Sequence, residues 1–299
     1  MKKINFATVN IATADQATHI THGGVFHGDE VMATAILSAI EPINLSRTFR
    51  VPEDTKAFVY DIGGGEYDHH QRGGNGTREN GVPYSSAGLI WRDFGHKLVS
   101  CDQAWTFVDQ ELIQGIDAVD NGVLPSVDYP TKPASISNLI SRFNPDWDSE
   151  VKPDNAFLEA VNFAQGVLAR AIASAESKAC AKALVDEAVK ASDGRIIVLP
   201  QFAPWQEYVL TSEDPKAAEA LYVVFPSNRG GYNVQAIPDA IGSFGNRKPL
   251  PESWRGVLAN DLQAVSGVAD ANFCHKGGFI GGADSLDGAL AMARKAIEA

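Results

Sequence analysis

Val59-Tyr60-Asp61-Ile62-Gly63-Gly64-Gly65-Glu66-Tyr67-Asp68-His69-His70-Gln71-Arg72 decides the reading of this chain. An apolar run ends on an aspartate, three glycines follow, and then comes Asp68-His69-His70. The run reads as a buried strand over 57–62 that delivers Asp61 at its C-terminal end, where open α/β sheets hold ligands. Three glycines permit a sharp turn and close backbone approach to a ligand. Aspartate and histidine both bind metals. One such cluster could be chance, so partners must be sought elsewhere.

They appear upstream. Residues 3–12 and 17–21 read as strands, and the second runs into His22-Gly23-Gly24-Val25-Phe26-His27-Gly28-Asp29-Glu30. An alanine-rich helix over 31–40 follows. His22, His27 and Asp29 therefore sit in a strand-to-helix loop, with Asp29 where an N-cap belongs. A plain cap between ordinary loop histidines is the alternative for this loop taken alone. Another strand is expected over 45–51.

The chain has seven histidines, and four of them lie in these two loops. Further on, 71–83 is polar and glycine-rich and reads as a mobile loop. Ser85-Ser86 caps a helix over 87–94, whose N-terminus offers either a phosphate site or only a cap. An amphipathic helix over 103–119 places Asp117 and Asp120 on one face near its end, before Gly122. A carboxylate is unfavourable at a helix C-terminus unless a cation offsets it. That favours Asp120 as a ligand and leaves Asp117 as the alternative.

His22, His27, Asp29, Asp61, His69, His70 and Asp120 are too many ligands for one ion. They suit two divalent cations about 3.5–4 Å apart that share a bridging carboxylate, an arrangement that activates water and stabilises phosphoryl charge. Asp61, between both histidine loops, is the expected bridge. Imidazole with carboxylate favours Mn²⁺, Zn²⁺, Fe²⁺ or Co²⁺ over Mg²⁺.

The second half reads differently. An irregular connection over 125–133 and a short helix over 134–143 lead to a long helical stretch over 153–191, with a break expected near Gly166. Strands follow over 195–199, 220–225 and 232–237, the last two joined by a turn at 227–231. Residues 244–258 read as loop. Phe273 to Ala283 reads as a glycine-rich loop before a closing helix over 285–297, a candidate anion cradle. The expected architecture is α/β: a parallel-sheet domain over 1–190, joined by a long helix to a smaller α+β domain over 191–299.

At 299 residues and 44% hydrophobic, the chain is long and apolar enough for two such domains. A net charge of −12 argues against a broad DNA-coating surface, although not against a phosphate-bearing substrate. Three widely spaced cysteines suggest neither disulfides nor a cysteine zinc site. With no spanning segment or signal-peptide pattern in the sequence, a cytoplasmic setting away from membranes is expected.

Asp68-His69-His70 with an upstream strand-end aspartate resembles the DHH phosphoesterase superfamily. Thr21 to Glu30, Tyr67 to Arg72, Ser85 to Ile90, Ile116 to Gly122, Leu250 to Gly256 and Gly278 to Ala283 resemble, in order, the Myg (melanocyte-proliferating-gene) family. The resemblance implies a catalytic domain with two divalent cations, usually Mn²⁺, and a C-terminal domain that closes over substrate. It also implies a 3′–5′ exonuclease acting on RNA or short oligonucleotides.

Mapped on this chain, His22, His27, Asp29, Asp61, His69 and Asp120 match metal ligands. His70 matches a contact to the scissile phosphate, with Asp68 supporting it. Arg72, Ser86, Arg229, Arg247, Arg255, His275, Lys276, Gly281 and Gly282 are candidate substrate contacts. A small-molecule phosphohydrolase and a non-catalytic metal-binding regulator are the alternatives, and the oligomeric state, a dimer included, stays open.

Overall fold

The computed structural model describes residues 4–123 and 134–299. The connection expected over 125–133 falls outside these residues. The chain divides into two compact units, Met1–Ala179 and Cys180–Ala299. The fold is mixed α/β, with one parallel sheet in the first unit and a second sheet in the other. No described helix is long and apolar enough to cross a membrane.

In the first unit, β1 (Val9–Ile11), β2 (His19–His22), β3 (Ile43–Thr48) and β4 (Phe58–Val59) form an all-parallel sheet in the order β1-β3-β2-β4. Between β2 and β3 runs α1 (Gly28–Ser38), buried along its whole length. Alanines and aliphatics enclose it, and its one polar stripe, Glu30, Thr34 and Ser38, is buried with Thr34 and Ser38 donating to the Glu30 and Ala35 carbonyls. α2 (Ser86–Phe94) packs against it. α3 (Asp102–Val108) and α4 (Gln114–Asp120) are joined through a π-helical turn at Asp109–Ile113, so the expected 103–119 helix forms with one bulged turn.

Two expectations need correction here. The strand over 57–62 is two residues long, and residues 57–59 are only half-buried. It lies at the sheet edge, and Asp61 leaves the strand conformation with φ +60°. The loop over 71–83 is tied down rather than loose. Asn75 Nδ2 donates to the carbonyls of Gly65, Glu66 and Asp68. Arg78, buried, donates through Nε and Nη2 to Asp109, lies 2.6 Å from Asp117 through Nη1, and stacks on Tyr84.

α5 (Ile136–Ser141) precedes α6 (Pro153–Ala191), whose Phe157, Val161, Ala164, Leu168 and Ile172 belong to the first core. The boundary between units falls within α6, and its Val185, Ala188 and Val189 join a core of the second unit. In that unit β5 (Ile196–Val198), β6 (Tyr222–Pro226), β7 (Tyr232–Ala236), β8 (Ala271–Cys274) and β9 (Ile280–Ala283) form a sheet ordered β5-β6-β7-β9-β8. β5 and β6 are parallel and the other pairings antiparallel. Short helices α7 (Gln206–Leu210) and α8 (Pro215–Glu219) precede β6, α9 (Ala259–Ser266) precedes β8, and α10 (Leu286–Glu298) closes the chain.

The turn at 227–231 joins β6 and β7 as expected. The glycine-rich segment 273–283, in contrast, is most of the β8–β9 hairpin and not a loop. Gly281 and Gly282 are buried in β9. A methyl group on Gly282 would meet the Phe273 ring at 2.6 Å, so these glycines serve close packing.

α6 runs through Gly166 without a break. Gly166 is exposed, and an added Cβ meets nothing within 4 Å. Gly166→Ala is therefore expected to raise stability by about 0.4–1 kcal/mol, measured by urea unfolding, through lower backbone entropy in the unfolded chain.

Candidate metal centre

The C-terminal ends of β2 and β4 and the N-terminus of α1 bring the two histidine loops together. His22 is the last residue of β2, and Asp61 follows β4 and its single bridge from Tyr60 to Tyr67. The positive φ of Asp61 is a conformation that aspartate tolerates better than most residues, and it turns the carboxylate inward. One oxygen, Oδ2, lies 3.1 Å from His22 Nε2. The other, Oδ1, lies 3.2 Å from His69 Nε2 and accepts a hydrogen bond from the Ser86 hydroxyl at 2.9 Å. Asp61 thus spans both loops.

His22 Nδ1 donates to the Gly23 carbonyl at 3.0 Å, which leaves Nε2 as the nitrogen with a free lone pair when the ring is neutral. His69 Nε2 lies 3.4 Å from Asp29, 3.2 Å from Asp61 and 3.1 Å from Asp120. Asp29, Glu30 and Asp61 are almost wholly buried. Both oxygens of Asp29, Oδ2 of Asp61 and Nε2 of His69 have no hydrogen-bond partner. Buried carboxylate oxygens left unpaired are costly, and converging ones fit a cation. Four overlapping groups of donor atoms lie within 4.8 Å of one another: His22 with His27 and Glu30, Asp61 with His69 and His70, His27 with Asp29 and Asp120, and Asp29 with Glu30 and Asp61. The set fits divalent cations.

Glu30 is the member that sequence reasoning missed. It is fully buried, lies 2.9 Å from His22 Nε2, and accepts from the His27 backbone N–H. Its position three residues after His27 at a helix start was the available signal, since that spacing allows a glutamate to reach back. The cap of α1 is accordingly His27, and Asp29 lies inside the first turn, which corrects its expected capping role.

The electrostatics follow from the crowding. Burial opposes charge on His22, yet Asp61 and Glu30 raise it to about 11. Burial likewise opposes charge on His69, and Asp29 and Asp61 raise it to about 11. Burial and then Asp29 push Asp120 up to about 8. Burial, with Asp29 and Asp61 nearby, raises Glu30 well above the usual range. Without cations, the cluster holds protons.

His70 stands apart. It is 56% exposed, and its Nδ1 donates to Asp68 at 2.8 Å, which aims Nε2 outward. Burial works against charge on Asp68, but the backbone N–H groups of His70 and Gly64 keep its pKa low. A cavity of about 470 Å³ opens here, lined by His22, Val25, His27, Asp61, Ile62, Gly63, Asp68 and His70.

Several expected substrate contacts are committed elsewhere. Ser86 is fully buried with its hydroxyl on Asp61, so it does not offer itself to a phosphate. The N-terminus of α2 is filled by Asp117, whose Oδ1 accepts from Gly88 N–H and the Ser85 hydroxyl. Asp117 is therefore part of the Arg78 network, and Asp120 alone of the two joins the cluster. Arg247 Nη1 donates to the carbonyls of Ala217, Ala218 and Ala220. Arg255 Nε donates to Leu250, and His275 Nδ1 accepts from Gly277 N–H. Asp270 accepts from Ser285 at the start of α10, closing that helix end as well. Arg72 and Lys276 are exposed. Arg229 lines a groove of about 610 Å³ on the second unit, with Phe202, Tyr232, Phe273 and Phe279.

A buried carboxylate–imidazole cluster at the carboxyl edge of a parallel sheet defines a candidate metal-site protein of the α/β class. Residues 18–297 match the MYG1 exonuclease family model, described as "Uncharacterised protein family (UPF0160)", and the chain belongs to that family. It is 33% identical to the MYG1 exonuclease of Rattus norvegicus, over 93% of this chain and 84% of the relative. It is also 33% identical to the MYG1 exonuclease of Homo sapiens, over 93% and 85%. The MYG1 protein C694.04c of Schizosaccharomyces pombe is 32% identical over 93% and 96%. No solved structure matches the chain.

Cations bind neutral imidazole and ionised carboxylate, whereas His22, His69 and Asp120 are protonated near neutral pH without them. Mn²⁺ binding is therefore expected to release protons and to tighten from about pH 6 to about pH 8. Isothermal titration in buffers of different protonation enthalpy checks this, and uptake of protons would contradict it.

Proposed function

We propose that this chain is a divalent-cation-dependent phosphodiesterase of DHH type, a 3′–5′ exonuclease acting on RNA or short oligonucleotides. The observation that carries the reading is the convergence of buried Asp29 and Asp61 oxygens that accept no hydrogen bond, with Asp61 and His70 lining an open cavity. The relatives named exonucleases support it, since the likeness covers nearly the whole of this chain.

His22, His27, Asp29, Asp61, His69 and Asp120, with Glu30, would hold two cations, Mn²⁺ being the preferred ion and Asp61 the bridge. The chemistry that cations supply when held there is activation of water and neutralisation of phosphoryl charge. The chain's own part is positional. Asp68 fixes the His70 ring so that Nε2 meets a phosphate oxygen in the cavity. Ser86 holds Asp61 against rotation. Arg72, exposed just past His70, would receive a further phosphate. Arg229 and the exposed Lys276, taken within the C-terminal unit by itself, are candidate phosphate contacts. The setting is cytoplasmic.

A small-molecule phosphohydrolase is the second reading. It is favoured by one observation: two helix N-termini that could hold phosphates are filled by Asp117 and Asp270.

The test is hydrolysis of a short labelled RNA and of bis-p-nitrophenyl phosphate with Mn²⁺. The parent is expected to cleave both. His70→Ala should lower kcat by roughly 10²-fold or more while binding Mn²⁺ as the parent does. A parent inactive on both, or a variant of equal activity, contradicts the reading. Cleavage of pyrophosphate or mononucleotides alone favours the second.

A further inference from the structure

One large apolar side chain beside the loop that joins His22 to His27 has no role in any of this. Phe49 follows β3 and is 83% exposed. Its ring lies against the Gly23-Gly24 backbone, between His22 and His27 in the chain. A methyl group placed on Gly24 would sit 3.2 Å from the ring's Cε1 and Cζ, and one on Gly23 would sit 3.5 Å from Cε2. Gly24, with φ +87°, lets the ring come this close without crowding a side chain. One flank thus packs on the loop that carries the metal ligands, and the rest faces solvent.

The mounting is rigid. Gly23 N–H donates to the Thr48 carbonyl at 2.8 Å, and His22 is in register with Thr48. The Thr48 hydroxyl donates to the Arg50 carbonyl at 3.1 Å and accepts from the Arg50 N–H, which closes a turn around Phe49. From beneath, Arg47, almost fully buried, donates to the Gly24 carbonyl at 2.8 Å and stacks on Phe157. Val25, 67% exposed, and Ile62 add apolar side chains to the cavity lining, alongside the polar His70 and Asp68. The cavity therefore pairs an ionic floor with an apolar rim.

A phosphodiester presents the same two chemistries, a charged phosphate and a flat base one sugar away. We propose that Phe49 is a specificity-determining residue, a stacking platform for the base of the nucleotide whose phosphate occupies the centre. This rests on the phosphodiesterase reading above. Stacking on an aromatic ring tolerates any base, because every base has a π-face. Phe49 thus selects nucleotides over other phosphoesters without selecting sequence.

The experiment compares kcat/KM with Mn²⁺ for a ribodinucleotide and for its analogue with abasic ribose on both sides. The parent is expected to prefer the base-bearing substrate. In Phe49→Ala that preference should fall roughly tenfold, and Phe49→Trp should restore it. The high exposure of Phe49 spares the fold, which thermal unfolding of each variant confirms. A parent without preference, a preference unchanged in Phe49→Ala, or a loss shared equally by both substrates overturns the platform alone. A parent that cleaves neither substrate overturns the phosphodiesterase reading, and the platform with it.

Discussion

The first unit depends on holding several buried carboxylates within reach of one another. Asp29, Glu30 and Asp61 are nearly fully enclosed, and Asp120 closes over them. Charges of one sign in so small a volume repel strongly at low dielectric. Opposite charge must come from imidazolium, from protons on the acids, or from cations. Asp61 is the pivot, because its two oxygens face different histidine loops. Its left-handed backbone turn is held by the bond from Asp61 N–H to the Tyr67 carbonyl and by Ser86 on its side chain. Backbone strain of this kind persists where the surroundings over-determine it, and it is found at functional sites.

Around this pivot the chain spends other charges on support. Arg78 reaches Asp109 at the π-turn and Asp117 in α4, which fixes the helix end that presents Asp120. Asp117 in turn caps α2, the helix that supplies Ser86. Removing one member of such a buried network leaves an uncompensated charge, so its parts act together. The same logic recurs in the second unit, where Asp270 seals the start of α10. Both helix ends are internally satisfied.

Much of this was legible in the residues. Helix and strand periodicity located most elements, and the two histidine loops with their flanking aspartates identified the cluster. The Asp117–Asp120 pair could not be separated by spacing, because three residues apart on one face says nothing about which carboxylate an arginine claims. Ser86 and Arg247 carry side chains that suit phosphates equally well as internal partners, and only packing reveals the choice. Gly281 and Gly282 read as a loop because strand glycines that admit a neighbouring ring leave no periodic signal. Glu30 was hidden by its company, an acid in the first turn of a helix being ordinary. A continuous helix gives no compositional mark of where one core hands over to the next.

The central claim is that the oxygens of Asp29 and Asp61 that accept no hydrogen bond are cation ligands. Anomalous diffraction at the manganese edge, on crystals soaked in Mn²⁺, tests it most directly. The account predicts two peaks within coordination distance of Asp61, one toward His22 and one toward His69. No peak at these carboxylates, with Mn²⁺ found only at surface acids, would contradict it.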